Sequence, residues 1–198
     1  MELETHDDFE DQLFEGLNLL SVEAGGIPLT GKAFDNCRFV NCQFDSTRLD
    51  GSNFRNCNFV NCRLTVVSLR KTRFRAVTFE DCRLGGIDWS AMELSTPGIT
   101  FSDCMLDNCS FFKQKLASLV FYRCRLKGTD FTECELPKVS FAACVFNDGS
   151  FAKCNLKDAD FATAEGYSID PASNQLRGAK FRFPEAISLL KYLGIKLE

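Results

Sequence analysis

The chain carries little of what marks most enzymes and membrane proteins. Among 198 residues there is a single histidine. That residue, His6, lies in an acidic stretch, and nothing supports pairing it into a Ser/His/Asp or Cys/His site. No apolar run approaches the length of a membrane span, and the first residues are acidic rather than positively charged. Neither a transmembrane helix nor a signal peptide is readable, so the expected compartment is the cytoplasm. Glycine doublets occur at Gly25-Gly26 and Gly85-Gly86, isolated and without the pattern of a phosphate loop. Charge of one sign is also scarce. The net charge is −4, residues 34–94 carry nine bases and seven acids, and residues 101–161 carry eight of each. The acidity sits in residues 1–33, where eight acids face Lys32 alone. No basic excess suggests a dedicated nucleic-acid binder, and no direct nucleic-acid binding is expected.

What the chain has in quantity is phenylalanine and cysteine, 20 and 11 residues against one Trp and three Tyr. Such skew points to a positional repeat. From Phe34 to Leu94 every fifth residue is Phe, Leu or Trp; after a slip of two the series resumes at Phe101 and runs to Phe161. The two blocks hold 13 matches each. Neither a helix at 3.6 residues nor a strand at 2 produces a period of five. Weaker matches at Phe9, Phe14, Leu19 and Leu29 extend the phase toward the start. Two residues before each repeat centre lies a second inward position. All the cysteines fall there: Cys37, Cys42, Cys57, Cys62, Cys82, Cys104, Cys109, Cys124, Cys134, Cys144 and Cys154. That assigns them one task, filling a small buried slot as free thiols.

These units resemble the pentapeptide-repeat family, whose motif reads A(D/N)LXX; Cys-Arg-Phe-Val-Asn (37–41), Cys-Asn-Phe-Val-Asn (57–61) and Ala-Asp-Phe-Ala-Thr (159–163) fit it closely. The resemblance implies an all-β fold, a right-handed quadrilateral parallel β-helix with four units to a coil. Positions 20 apart should then stack. Allowing for two extra residues between Leu94 and Phe101, one side reads Phe39, Phe59, Phe79, Phe101, Phe121, Phe141, Phe161. The small slot of the next side reads Cys42, Cys62, Cys82, Cys104, Cys124, Cys144. Both columns survive only if the insertion is a local bulge, placed at Ser95–Thr100, where Pro97-Gly98 supplies turn chemistry. At a strand spacing near 4.8 Å the 26 units predict a column of roughly 31 Å, or roughly 38 Å with the weaker repeats.

The sequence divides into an acidic arm or cap at 1–33, the β-helix at 34–163, and a C-terminal cap at 164–198. In the cap, the repeat phase stops after Phe161 and an extended stretch runs from Leu176 to Phe183. A helix is then predicted from Pro184 to Leu193, with Gly194 as its stop. Ala186, Ile187, Leu190 and Leu193 form one apolar stripe at helical spacing. Pro184, Ile187, Leu190, Leu193 and Ile195 are the candidate dimerisation residues.

The tail residues Gly166, Ile169-Asp170-Pro171, Asn174, Pro184-Glu185-Ala186 and Leu189–Ile195 resemble the C-terminus of the microcin B17 immunity protein and of the Qnr quinolone-resistance proteins. That resemblance implies a cytoplasmic homodimer that binds DNA gyrase or topoisomerase IV and relieves poisoning by a quinolone or peptide toxin, plausibly by imitating duplex DNA. No continuous acidic stripe supports the mimicry: Asp45, Asp107 and Asp148 share a side with Arg63, Arg83, Arg125 and Lys127. A rigid repeat module for an unrelated protein partner is the alternative.

No catalytic, cofactor or metal site is expected. Cysteines five apart do not match the C-x2-4-C spacing of zinc ligands. The carboxylates Glu80-Asp81 and Asp158/Asp160 lie on outward positions beside bases. Contacts to a partner fall by elimination on the bulge (Ser95, Thr96, Pro97, Gly98, Thr100) and the acidic arm (Asp7, Asp8, Glu10, Asp11). The bases Arg70, Lys71, Arg73 and Arg75 read as a solvated face. Asn36, Asn41, Asn56 and Asn61 fall where corners are expected.

Overall fold

The structure is a computed structural model that describes residues 13–94, 98–117 and 119–194. Repeat centres sit with their side chains inward, and on sides 1 to 3 many of them lie in the middle of a strand of about three residues with both neighbours outward, as in Asn53–Arg55 and Arg125–Lys127. Two residues after the centre the chain turns a corner through a left-handed conformation. Asn36, Asn41, Asn56 and Asn61 occupy such corners at φ 53°, 57°, 52° and 51°. Asn tolerates this region better than most residues, and the Asn61 side chain donates to Asn41 Oδ1 one coil below at 2.8 Å.

Four such sides close a coil, and the coils stack as parallel strands. Side 1 holds Leu13–Glu15, Ala33–Asp35, Asn53–Arg55, Arg73–Arg75 and Glu93–Leu94. Side 2 is a seven-stranded sheet from Asn18–Leu20 to Phe141–Ala142. Side 3 runs from Arg63–Thr65 to Val145–Asn147, and side 4 is joined by single bridges such as Arg48↔Ser68 and Ser110↔Asp130. The molecule is the four-sided, right-handed parallel β-helix that the family resemblance implies.

The core is a set of one-residue-wide columns. On side 2 the rings of Phe39, Phe59, Phe79, Phe101, Phe121, Phe141 and Phe161 stack with centroids 4.5 to 5.4 Å apart. The widest step, 5.4 Å between Phe79 and Phe101, spans the two-residue insertion, so the register passes through it. Ile99–Ser102 already pairs with Val77–Glu80, which confines the insertion to residues before Ile99 rather than the whole of Ser95–Thr100. Ser95, Thr96 and Pro97 lie outside the described residues.

The small inward slot has a chemistry of its own. Cys42, Cys62, Cys82, Cys104 and Cys124 each donate Sγ–H to the carbonyl of a side 2 centre one coil below, Leu19, Phe39, Phe59, Phe79 and Phe101, at 3.3 to 3.5 Å. Thr72 and Thr129 do the same toward Leu49 and Leu106, at 2.7 and 2.9 Å. The slot therefore takes a small side chain and often one that can donate, which Cys, Ser and Thr satisfy. Burial pushes the Cys109 thiol up to about 11 and the Cys134 thiol up to about 12, so both stay protonated.

The repeat does not stop at Phe161. Phe181 stacks on Phe161 at 5.3 Å, and Gln175 and Lys180 bridge to Asn155 and Asp160. The phase is masked because Ile169 pairs with Phe151 at a separation of 18 rather than 20, and residues 170–174 restore the register. Asn174 fills the donor slot there, giving Nδ2 to the Phe151 carbonyl at 3.0 Å and accepting the Cys154 amide at 2.8 Å. At the other end, the described coil already contains Phe14 and Leu19.

One corner breaks the local rule. Val66 is β-branched and exposed, yet sits at φ 55°. A left-handed conformation costs an L-residue about 1–2 kcal/mol. We therefore expect Val66→Asn to raise stability by roughly 1 kcal/mol. Urea unfolding should show a higher midpoint with an unchanged slope.

Candidate functional site

With the interior filled, what remains for function is the outer wall and the two ends. The surface depressions are shallow. One of about 440 Å³ lies on side 3 beside Arg63, Thr65, Arg83 and Gly85. Another of about 390 Å³ lies between Ala162–Glu165 and Arg182–Glu185. Among the described residues no group of three or more His, Cys, Asp or Glu side chains is placed to hold a metal ion. No helix among them is long and apolar enough to cross a membrane. His6 lies outside the described residues.

Of the expected contact residues, Gly98 and Thr100 are described. The Gly98 carbonyl accepts the Val77 amide at 3.4 Å, and Thr100 sits on an outward position of side 2 between Thr78 and Val120. Gly98 thus stands at the end of the insertion and Thr100 on the wall of side 2. Asp7, Asp8, Glu10 and Asp11 lie outside the described residues.

At the C-terminus the helix Glu185–Leu193 forms, but as a 3₁₀ helix. That changes the expected stripe. With three residues per turn, i and i+3 eclipse, so Ala186, Leu189 and Tyr192 form one row and Ile187, Leu190 and Leu193 another. Leu189 packs against the core, and the Tyr192 hydroxyl hydrogen-bonds Ser168 Oγ at 2.6 Å. Ala186 thus shares its row with Leu189 and Tyr192 rather than with the predicted stripe. Leu193 is 58% exposed, and Phe183, just before the exposed Pro184, is 76% exposed. Ile187 and Leu190 are half-buried. Ile195 lies outside the described residues. The sequence reading missed Phe183, whose exposure follows from the chain leaving the coil after Phe181.

Several charged groups of the wall pair between neighbouring coils. Arg55 reaches down to Asp35, Arg63 to Asp45, and Arg123 to Asp103 at 2.7 Å. The Arg55 guanidinium holds the Asp35 carboxyl below its usual range, and Arg123 does the same for Asp103.

A filled column of stacked coils with patterned outer sides defines a solenoid repeat protein. The chain belongs to the pentapeptide repeat family: a profile described as a pentapeptide repeat region matches residues 32–111 and 98–181. Among solved structures it is similar to two trypsin-treated variants of QnrB1, a plasmid-mediated fluoroquinolone resistance protein. The first match has 18% identity, covers 94% of this chain and 91% of that one, and has a TM-score of 0.54. The second has 19% identity, covers 94% and 89%, and has a TM-score of 0.56. At that identity the likeness is one of fold. A search of curated proteins gave no significant match.

Proposed function

We propose that the protein is a non-enzymatic, cytoplasmic interaction protein that binds DNA gyrase or topoisomerase IV and protects it from a quinolone or a peptide toxin. The observation that carries this reading is the C-terminal unit. The residues that resemble the tail of the Qnr and immunity proteins, Gly166 to Asn174 and Pro184 to Gly194, are those that extend the coil and form the terminal 3₁₀ helix. The fold-level likeness to QnrB1 over 94% of the chain is consistent with it. Contacts to the topoisomerase are assigned to the insertion at 95–98 and to the acidic arm, the part of the chain where charge could stand in for DNA phosphates. Mixed charge on the sides favours a second reading, a rigid module for an unrelated protein. A pull-down rich in another partner and empty of gyrase would select that one.

The same unit supports a homodimer formed through the Ile187, Leu190 and Leu193 row with Phe183. Replacing Leu190 and Leu193 together by Asp is expected to yield a folded monomer in light scattering, where the parent gives twice the mass. Expression in a susceptible cell is expected to raise the inhibitory concentration of a quinolone or a peptide toxin. Equal sensitivity with and without the protein, across both kinds of poison, removes the proposal.

A further inference from the structure

Averaged over residues 34–94 the charge is nearly balanced, yet the coils concentrate it. Residues 48–75 hold seven bases and a single acid, Asp50. Six of the seven bases are Arg. The fold gathers most of them at the corner between sides 4 and 1. Arg70 is on the last outward position of side 4, Lys71 is the corner residue at φ 56°, and Arg73 and Arg75 are the outward pair of the next strand. Arg55 lies directly beneath Arg75 in the parallel register. All five are exposed.

The neighbouring acids neutralise this patch only in part. Asp50 accepts the Ser68 hydroxyl at 2.5 Å and the Arg70 amide at 3.1 Å, and pairs with Arg48 at 3.5 Å. Asp35 pairs with Arg55 and Glu93 with Arg73, the latter at 2.5 Å. Among the described residues Arg70, Lys71 and Arg75 make no ion pair. The cations also form a grid. Outward residues two apart along a strand are separated by roughly 6.6 Å and stacked ones by about 4.8 Å, on backbone fixed by the ladder.

We propose that this corner binds the phosphodiester backbone of a nucleic acid, without sequence preference. Three features favour phosphate over the carboxylates of an acidic protein. The patch is made mainly of guanidinium forks, which match phosphate bidentately. It repeats at regular intervals, as a polyanion does. It also carries no exposed aromatic side chain of the kind that anchors protein interfaces, its exposed apolar neighbour being Val66, which shares a depression with Arg70. For the same reason it offers no stacking platform for bases. This inference stands apart from the topoisomerase reading and survives or fails without it.

The test is fluorescence anisotropy of a labelled random-sequence DNA duplex with the full chain. Each phosphate engaged contributes about 0.9 to the salt slope, so three contacts lower the binding constant roughly 40-fold between about 50 and 200 mM salt. R70E/R75E should weaken binding at least tenfold. R38E/R83E makes the same change in net charge on sides 2 and 3 and should leave binding within about twofold. Melting curves matching the parent's confirm that both variants fold. The proposal is overturned if the parent does not bind duplex at low salt, or if both variants lose binding equally. It is also overturned if a peptide of residues 1–12 binds this corner while DNA does not, which would assign the patch to protein carboxylates.

Discussion

Phe121→Ala is expected to cost about 3–5 kcal/mol, the range for removing a buried aromatic ring from a core that cannot collapse around the void. The ring stacks on Phe101 and Phe141 at 5.2 Å each and meets the edges of Phe111 and Phe131 at 5.8 Å each. None of these neighbours can close the gap without leaving its own column. Native domains hold only about 5–15 kcal/mol in total, so the loss is a large share of the stability. The next residue supplies the contrast. Tyr122 points outward and is 42% exposed. Tyr122→Ala should change stability by less than about 0.5 kcal/mol. Trp89, the only tryptophan and fully buried, reports both unfolding curves. Comparable losses in the two variants would mean that side 2 does not face the core as described.

The second large effect is expected at Gly166. It sits exposed at φ +69° just after Glu165, which bridges to Val145 on side 3, and a Cβ there would strike the carbonyl oxygen of Phe146. The left-handed conformation alone costs another residue about 1–2 kcal/mol. The clash adds to it because the obstacle is backbone, so Gly166→Ala should lose roughly 3 kcal/mol. Gly26, at φ +75° with nothing within 4 Å of a built Cβ, isolates the conformational part. Gly26→Ala should cost about 1 kcal/mol. Hydrogen exchange adds a local readout. The Gln175 and Lys180 amides donate to Cys154 and Ala159 at 2.9 and 2.8 Å, and both should lose protection in Gly166→Ala. Protection equal to that of the parent would contradict a last coil that depends on this close approach.

These two sites also mark what the sequence made legible. The side 2 column could be read in advance because one residue type, Phe, recurs at a fixed spacing, and the same holds for the Cys slots. The last coil could not, because its inward positions are Tyr167, Ile169 and Asn174, and because a separation of 18 replaces one of 20. Nothing in the residue types announces that Asn174 does the work of a cysteine; only its bonds to Phe151 and Cys154 do. The terminal helix was placed correctly, but its apolar residues were assigned with 3.6 residues per turn, and three per turn moves Ala186 to the row of Leu189 and Tyr192. The basic corner was visible as the cluster Arg70, Lys71, Arg73 and Arg75, yet its meaning depends on Arg55 rising beneath Arg75, which only the register supplies. Of the candidate contact residues, Gly98 and Thr100 could be placed, Gly98 at the end of the insertion and Thr100 on the wall of side 2.

The pattern has a physical reason. A solenoid of this kind records its core in the sequence because each coil repeats the same packing problem. Its function lies on positions the packing leaves free, where no period constrains the choice of residue.

The reading of the protein as a protector of type II topoisomerases is tested most directly by a gyrase supercoiling assay, run with and without a quinolone and titrated with this protein. The account predicts that supercoiling blocked by the poison returns as the protein is added. Supercoiling that stays blocked at every concentration of correctly folded protein, with quinolone and with peptide toxin alike, would contradict it.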